Sequence, residues 1–188
     1  KSGTGFQSDS DRRPLFGLGA ATAVDRLSIL WPSGTRQTLL QVSANQTISI
    51  REASFESVGT PSLGSSVTLR LDSETDTGAT SVVLVSAQEP PHTVLPDGTE
   101  LPLTVDSLAI DLIAPGNGIL NGAIGTVDPS GRAEAVLQIP NVPSLLGLLL
   151  FSTAFTIDPQ IPLSVRTSFG APLRLTLQRL RPGPNRRA

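Results

Sequence analysis

The sequence predicts an all-β protein made of two tandem β domains, a small antiparallel meander followed by a larger β-sandwich. Gly and Pro supply 17 and 16 of the 188 residues. They separate short segments rich in Val, Ile, Leu and Thr, as turns separate strands. No stretch of a dozen residues keeps an apolar period of 3.6 without a Gly or Pro inside it. We therefore expect almost no helix.

Residues 1–55 form the first predicted domain. It contains three short segments, and in the first and third of them apolar side chains recur at every second position, as they do in half-buried strands. Turn residues separate these segments, so an antiparallel meander is the simplest arrangement. The predicted strands are DRLSILW at 25–31, RQTLLQV at 36–42 and TISIREA at 47–53.

Trp31 is the only Trp of the chain and stands directly before a Pro-Ser-Gly turn. The alternation places it on the same strand face as Leu27 and Ile29. A Trp in this position is either a sugar-binding platform or a core residue. The shared apolar face favours a core residue whose indole N–H finds an oxygen acceptor.

Residues 56–64 are rich in small polar residues, Gly and Pro, and we assign them as a linker. The second domain, 65–180, contains six predicted strands with turns between them, which is typical of a β-sandwich. The basic end, 181–188, is predicted to be a flexible tail. The six strands are SSVTLRLDS at 65–73, TSVVLVSAQ at 80–88, SLAIDLI at 107–113, AEAVLQIP at 133–140, LLGLLLFSTAFTID at 145–158 and APLRLTLQRL at 171–180.

Composition excludes several classes of function. The formal net charge is −2 and 16% of the residues are charged, so the chain lacks the positive surface that nucleic-acid binding requires. It has no Cys and one His, which excludes disulfides, thiolate catalysis and the usual zinc sites. The longest apolar run, LLGLLLF at 145–151, is too short to insert into a membrane as a spanning helix.

No catalytic constellation is visible in the sequence. The single histidine, His92, lies among prolines and is predicted to be in a solvated loop. A serine hydrolase of the α/β type would need a G-x-S-x-G elbow, and none occurs. We therefore expect that the chain is not an enzyme and has no cofactor.

One acidic segment raises the question of calcium. Asp72, Glu74 and Asp76 are spaced two apart, with Gly78 behind them. Alternate oxygen ligands before a turn Gly occur in calcium loops, but the spacing departs from that of the EF-hand. A solvated hairpin turn is the alternative interpretation. The segment SDSD at 8–11 raises the same question.

Residues 1–53 closely resemble the latter part of the ASPIC/UnbV domain, a module that typically follows β-propeller repeats in secreted proteins. The resemblance implies an extracellular or cell-surface location. The motifs that carry it are Gly5-Phe6, Ser8-Asp9, Phe16-Gly17-Leu18-Gly19, Trp31-Pro32-Ser33-Gly34, Ala44-Asn45-Gln46 and Glu52.

Residues 60–178 resemble a second module, found at the C-termini of large secreted proteins of planctomycetes. The element IPNVPSLLG at 139–147 carries most of this likeness. No enzymatic activity is tied to that module, so this resemblance also implies a non-catalytic role.

The ASPIC/UnbV pattern normally begins earlier, with further strands, and this chain starts inside it. The resemblance therefore implies an open edge in the first sheet, and another strand can complete an open edge. We expect a non-catalytic extracellular structural or interaction module that pairs with copies of itself or with domains of a parent protein. The expected contact is RQTLLQV or the missing N-terminal strand position. The alternative is a carbohydrate-binding or accessory domain of a secreted bacterial enzyme.

Overall fold

The protein is all-β, as the sequence predicts. The structure, a computed structural model, describes residues 14–88, 92–161 and 164–179. The predicted tail at 181–188, the SDSD segment and the Gly5-Phe6 motif lie outside the described residues. Within them, one short helix, α1 (Ser107–Ile113), lies between β7 and β8. The strands are β1 (Ala23–Leu30), β2 (Arg36–Ser43), β3 (Ser54–Val58), β4 (Ser66–Asp72), β5 (Thr80–Ser86), β6 (Thr93–Val94), β7 (Glu100–Leu101), β8 (Leu120–Asn121), β9 (Ile124–Thr126), β10 (Arg132–Gln138), β11 (Leu149–Ile157), β12 (Val165–Ser168) and β13 (Leu173–Thr176).

The named strands of the described residues form three antiparallel sheets. The largest has the order β1-β2-β12-β11-β5-β9, and β13 also pairs with β11, next to β12. The second has the order β3-β4-β10-β8, and the third is the β6-β7 hairpin. The pairings β2-β12, β5-β11, β4-β10 and β5-β9 join strands that are distant in sequence, so the fold depends on long-range strand pairing.

The main core lies between the two larger sheets. On β4, Val67, Leu69 and Leu71 are fully buried and alternate with partly exposed residues, as a period of two requires. They pack in one cluster with Val83 and Val85 of β5. Burial of these alternating faces holds the two sheets together.

A smaller core covers the opposite face of the seven-stranded sheet. Val82 and Leu84 of β5 and Phe155 of β11 cluster there with Leu101 and Leu103. Strand β5 is therefore buried on both faces, which explains its nearly continuous apolar run. The β6-β7 hairpin region thus adds a third layer over part of this sheet.

The segment SLAIDLI is a helix, so the prediction of a strand at 107–113 was wrong. The Asp106 side chain accepts a hydrogen bond of 2.8 Å from the Ala109 N–H, which caps the first turn. Leu108 and Leu112 are four residues apart and both pack against the main core. A segment of seven residues is too short to show whether its apolar side chains repeat with the period of a helix or of a strand. The Asp106 cap favours the helix. Across the described ranges, no helix is long and apolar enough to span a bilayer.

The third strand of the predicted meander was also misplaced. Residues 47–53 form no strand, and Ile48, an apolar residue of the predicted strand, is 38% exposed. The strand lies later, at β3, and pairs with β4 of the second sheet. Its residues overlap the predicted linker at 56–64, in which Ser62 and Leu63 are buried. Pairing with β4 satisfies backbone groups that a solvated linker would leave to water.

Strand β2, the predicted RQTLLQV contact, is not an edge strand along its first part. It pairs with β1 over its length and with β12 through Arg36 and Gln37. Among the described strands, β1 and β9 lie at the two edges of this sheet. Strands from residues 23–58 thus lie in both large sheets. Whether 1–55 and 65–180 fold as separate domains stays a prediction.

Candidate functional site

The most polar buried region lies where the N-terminal strands meet the second half of the chain, and we call it the junction. It consists of Trp31, Gln37, Ala53, Ser73, Thr75, Asp76, Thr156 and Arg166. At its centre, the fully buried Gln37 side chain accepts hydrogen bonds from the Trp31 indole N–H at 2.6 Å and from the Ala53 N–H at 3.0 Å. Its amide nitrogen donates to the Thr75 hydroxyl at 3.2 Å. The carboxamide therefore connects β2 to the turn after β4.

Trp31 is half-buried and lies outside the two clusters of buried apolar residues. Its face is the one that the alternation predicts, shared with the half-buried Leu27 and Ile29. The indole N–H is bound by Gln37. Trp31 is therefore a structural residue with a buried polar contact, at the boundary of the core.

Asp76 is the charged centre of the junction and is completely buried. One carboxylate oxygen, Oδ2, accepts from the Ser73 hydroxyl at 2.9 Å and from the Thr156 hydroxyl at 2.8 Å. The other, Oδ1, lies 3.5 Å from Nε of Arg166. That contact is an ion pair by distance but makes no hydrogen bond, so both atoms lack a hydrogen-bond partner. A buried charge needs a compensating partner, and Arg166 supplies it.

The hydroxyl groups extend this network across three strands and a turn. Ser73 Oγ lies 3.3 Å from Thr75 Oγ1, and the Thr156 hydroxyl accepts from the Thr167 N–H at 3.0 Å. Arg166 also donates to the Thr75 carbonyl at 3.1 Å. The chain Gln37, Thr75, Ser73 and Asp76 is therefore continuous.

The three calcium candidates do not converge. Asp72 accepts from Arg132 at 2.8 Å, and Glu74 lies 3.4 Å from Arg51. Asp76 faces Arg166 inside the protein. Each carboxylate has its own arginine, and the described part of the chain contains no group of three His, Cys, Asp or Glu side chains that could hold a metal. The residues present do not fit a calcium loop.

The Trp-Pro-Ser-Gly turn contacts the turn between β12 and β13. A Cβ placed on Gly170 would lie 2.5 Å from the Cα of Gly34, so neither backbone leaves room for a side chain there. Gly34 also has a φ of +89°, which favours Gly. The Ser33 hydroxyl donates to Glu52 and lies 2.8 Å from the Thr35 hydroxyl oxygen. The motifs at 31–34 and at Glu52 therefore meet in space.

A polar surface groove of about 250 Å³ lies beside the junction, lined in part by Arg51, Glu52, Asp72, Glu74 and Arg132. The two arginines are already paired with Asp72 and Glu74. The lining contains no aromatic ring. The groove therefore offers few uncommitted groups to a ligand.

A second, smaller cleft lies on the outer face of β1 and β2, lined by Arg26, Ser28, Arg36, Thr38 and the turn at 97–99 among others. Among the described residues, the side chains of Arg26 and Arg36 make no hydrogen bond or salt bridge. Burial raises the pKa of Asp97, but hydrogen bonds from the Val165 and Thr99 backbone and the Arg26 charge more than offset this, so the pKa lies below its ordinary value.

Strand β1 has β2 as its one neighbour within the described residues. The Trp31 N–H donates to the Thr35 carbonyl at 2.8 Å, which continues the β1-β2 ladder. Because bonded pairs alternate in an antiparallel ladder, the backbone groups of Ser28 and Leu30 point away from β2. The Leu30 side chain is 67% exposed. This outer side of β1 is an edge that another strand can pair with.

The remaining predicted positions contribute little to these sites. His92 is exposed and makes no described contact in the junction. Phe16 is the one exposed aromatic side chain of the described residues, and it lies before β1.

Together these features define an all-β sandwich protein with a buried polar junction and, among the described strands, an edge at β1. Residues 1–57 match the family model described as ASPIC and UnbV. The match ends inside β3, so it includes β1, β2 and the junction residues Trp31, Gln37 and Ala53. No curated protein matches this chain. The likeness of 60–178 to a C-terminal module stays a prediction.

Sequence reasoning missed Gln37, Thr75 and Arg166. One signal was available for Gln37. It lies on the same face of a predicted strand as Leu39, and a Gln buried on such a face needs hydrogen-bond partners. Thr75 and Arg166 gave no such signal, because their roles depend on contacts with residues distant in sequence.

Proposed function

We propose that this chain is a non-catalytic interaction module of an extracellular protein and that it associates through the outer edge of β1. The observation that carries the proposal is the position of β1 as an eight-residue edge strand with one described neighbour. Its outward backbone groups can form a ladder with an incoming strand, which supplies affinity without a dedicated pocket. The match of residues 1–57 to ASPIC and UnbV supports the extracellular setting.

A second copy of the chain is a suitable partner for this edge. Two β1 strands that pair antiparallel about Ser28 place Arg26 of one copy opposite Leu30 of the other. The like charges then stay apart, and the exposed Leu30 side chain is covered by the aliphatic part of an arginine. Backbone pairing and burial of this apolar surface would drive association.

The test replaces one outward N–H of the edge. Ser28→Pro removes a donor that does not serve the β1-β2 ladder, whereas Ser28→Val keeps that donor and a strand-forming residue. Sedimentation velocity over a range of concentrations should show oligomers for the wild type and the valine variant. The proline variant should remain a monomer with an unchanged far-UV circular dichroism spectrum.

A wild-type species of 19.6 kDa at every concentration would contradict self-association through β1. Equal oligomerisation of the proline variant would place the contact elsewhere. No observation on the described residues favours the carbohydrate-binding alternative, because the indole N–H of Trp31 is bound inside the protein and the larger groove has no aromatic lining.

A further inference from the structure

The Gln37 carboxamide lies in an environment that suits acyl transfer. Two N–H groups, from the Trp31 indole and the Ala53 backbone, donate to its oxygen at 2.6 and 3.0 Å. Paired donors of this kind stabilise the negative charge that develops on a carbonyl oxygen when a nucleophile attacks its carbon. These hydrogen bonds polarise the carbonyl group of Gln37.

A nucleophile lies beside the carboxamide. Thr75 Oγ1 is 3.2 Å from Nε2 of Gln37, and Nε2 is one bond from the carbonyl carbon. A small rotation of the carboxamide would bring that carbon within reach of the hydroxyl oxygen.

A route for the hydroxyl proton is also present. Ser73 Oγ lies 3.3 Å from Thr75 Oγ1 and donates to Asp76 at 2.9 Å. Hydroxyl to hydroxyl to carboxylate is a relay through which a base can activate a weak nucleophile. Asp76 is fully buried, and its Oδ2 is the oxygen to which Ser73 donates. The carboxylate is therefore held in a water-poor site as the terminal acceptor of the relay.

We propose that Thr75 and Gln37 form an intramolecular ester cross-link. Thr75 Oγ1 attacks the Gln37 carbonyl carbon, and the hydroxyl proton passes through Ser73 to Asp76. The tetrahedral intermediate, with its oxyanion bound by Trp31 and Ala53, then expels Nε2. The leaving nitrogen takes the proton back from the relay and departs as ammonia. One C–O bond forms, one C–N bond breaks, and no oxidant, reductant or other reactant is required.

The proposed bond would join two parts of the chain that are distant in sequence. Residues 37 and 75 are 38 apart in the chain, and the bond would tie β2 to the turn that follows β4 of the other large sheet. Gln37 is fully buried, so water has poor access to the ester once it has formed. The cross-link would hold the N-terminal strands in place when a partner pulls on β1, but its formation does not depend on that pairing.

Mass spectrometry of the intact folded protein tests the proposal. The linked chain should weigh about 17 Da less than its sequence, the mass of one ammonia lost in acyl transfer. A tryptic digest should contain peptide 37–51 joined to peptide 71–132, and hydroxylamine, which cleaves esters, should separate them. Thr75→Val should restore the sequence mass. Thr77→Val, in the same turn but exposed, should leave the link intact.

The linked peptide is decisive because a succinimide at Asn121-Gly122 also loses one ammonia but joins no peptides. Trp31→Phe, which removes one donor to the Gln37 oxygen, should slow the appearance of the link in freshly refolded protein. A wild-type chain at full sequence mass, with no linked peptides after prolonged incubation in the folded state, would overturn the proposal. That result can be read even if the Thr75 variant does not fold.

Discussion

At the scale of single residues, two glycines and one buried ion pair mark close contacts between segments that are distant in sequence. Gly34 and Gly170 come from motifs more than a hundred residues apart, and their backbones touch. Asp76 and Arg166 provide the opposite charges at the junction. A Cβ on Gly170 would clash with the Gly34 backbone, and loss of the Arg166 charge would leave the Asp76 carboxylate buried without its cation.

Gly170→Ala should destabilise the protein by about 1–3 kcal/mol, the range for overpacking a close contact. The added Cβ would lie 2.5 Å from the Gly34 Cα, and a backbone atom cannot rotate away. Urea denaturation measures the free energy of unfolding. Gly17→Ala is the matched control, since an added Cβ there meets nothing within 4 Å. Equal effects at both positions would show that the Gly34 contact is not tight.

Arg166→Met should cost about 3–5 kcal/mol, because it leaves the carboxylate of Asp76 buried without its cation. Arg132→Met is the control, since its partner Asp72 is 36% exposed and water can replace the arginine. Thermal unfolding of both variants should give a much larger loss for Arg166. A loss of the same size in the two variants would contradict the burial argument.

At the scale of elements, local capping and turn chemistry set structure that hydrophobic patterns leave ambiguous. Helix α1 begins at a capped N-terminus, and the Asp106 carboxylate that caps it also accepts from the Ser86 hydroxyl at 3.0 Å. The turn between β6 and β7 is organised by Asp97, which accepts from the Thr99 and Val165 backbone N–H groups at 3.0 Å. Each acidic side chain thus attaches one short element to the large sheet.

Asp106→Ala should lower the free energy of unfolding by roughly 1 kcal/mol, the usual effect of removing an N-cap. The loss of the contact to Ser86 adds to this effect. Asp111→Ala, an exposed change on the same helix, should have little effect. Chemical denaturation of both variants tests this, and equal midpoints would mean that the cap does not stabilise α1.

Asp97 should make stability depend on pH. Its folded-state pKa is lowered from an ordinary value of 3.8, so the folded state binds the proton less readily than the unfolded state. Its contribution is therefore present above the ordinary pKa and is lost as the pH falls through the folded pKa. Asp97→Asn should lower the thermal midpoint more at neutral pH than near about pH 3. A difference that grows on acidification would contradict this sign.

At the scale of the whole molecule, each of the two large sheets combines N-terminal strands with strands of the later segment. β2 pairs with β12, and β3 pairs with β4. The N-terminal strands are therefore hydrogen-bonded to strands of the later segment in two sheets. The arrangement therefore affects whether the N-terminal strands unfold together with the later segment or before it.

Trp31 is the only Trp of the chain and reports on the junction. Its fluorescence and the far-UV circular dichroism should change at the same urea concentration, because unfolding the N-terminal strands exposes the faces they cover. An earlier fluorescence transition would instead support the two separate domains predicted from composition. Gln37→Leu removes the acceptor of the Trp31 N–H. Because the junction joins the N-terminal strands to the rest of the protein, this variant should show separate fluorescence and circular dichroism transitions.

The sequence alone determined the all-β class of the protein and its six longest strands. Alternation identified β1, β4 and β10, because a strand that buries one face repeats every two residues and this signal is local. Short segments bounded by turn residues identified β2, β5 and β11. The motifs at 31–34 and Glu52 also identified the likeness that the family match supports. The pattern of apolar residues could not distinguish a short helix at 107–113 from a strand, because a segment of seven residues is too short to show its period.

The tertiary structure decided which strands are neighbours and which polar groups meet. No local pattern states that β3 leaves the first meander for the second sheet, or that Gly34 touches Gly170. The junction is the clearest case, since Gln37, Thr75, Asp76 and Arg166 are ordinary residues until the fold brings them within hydrogen-bond distance. Burial and pairing energies are summed over contacts between distant segments, so only the complete fold sets them.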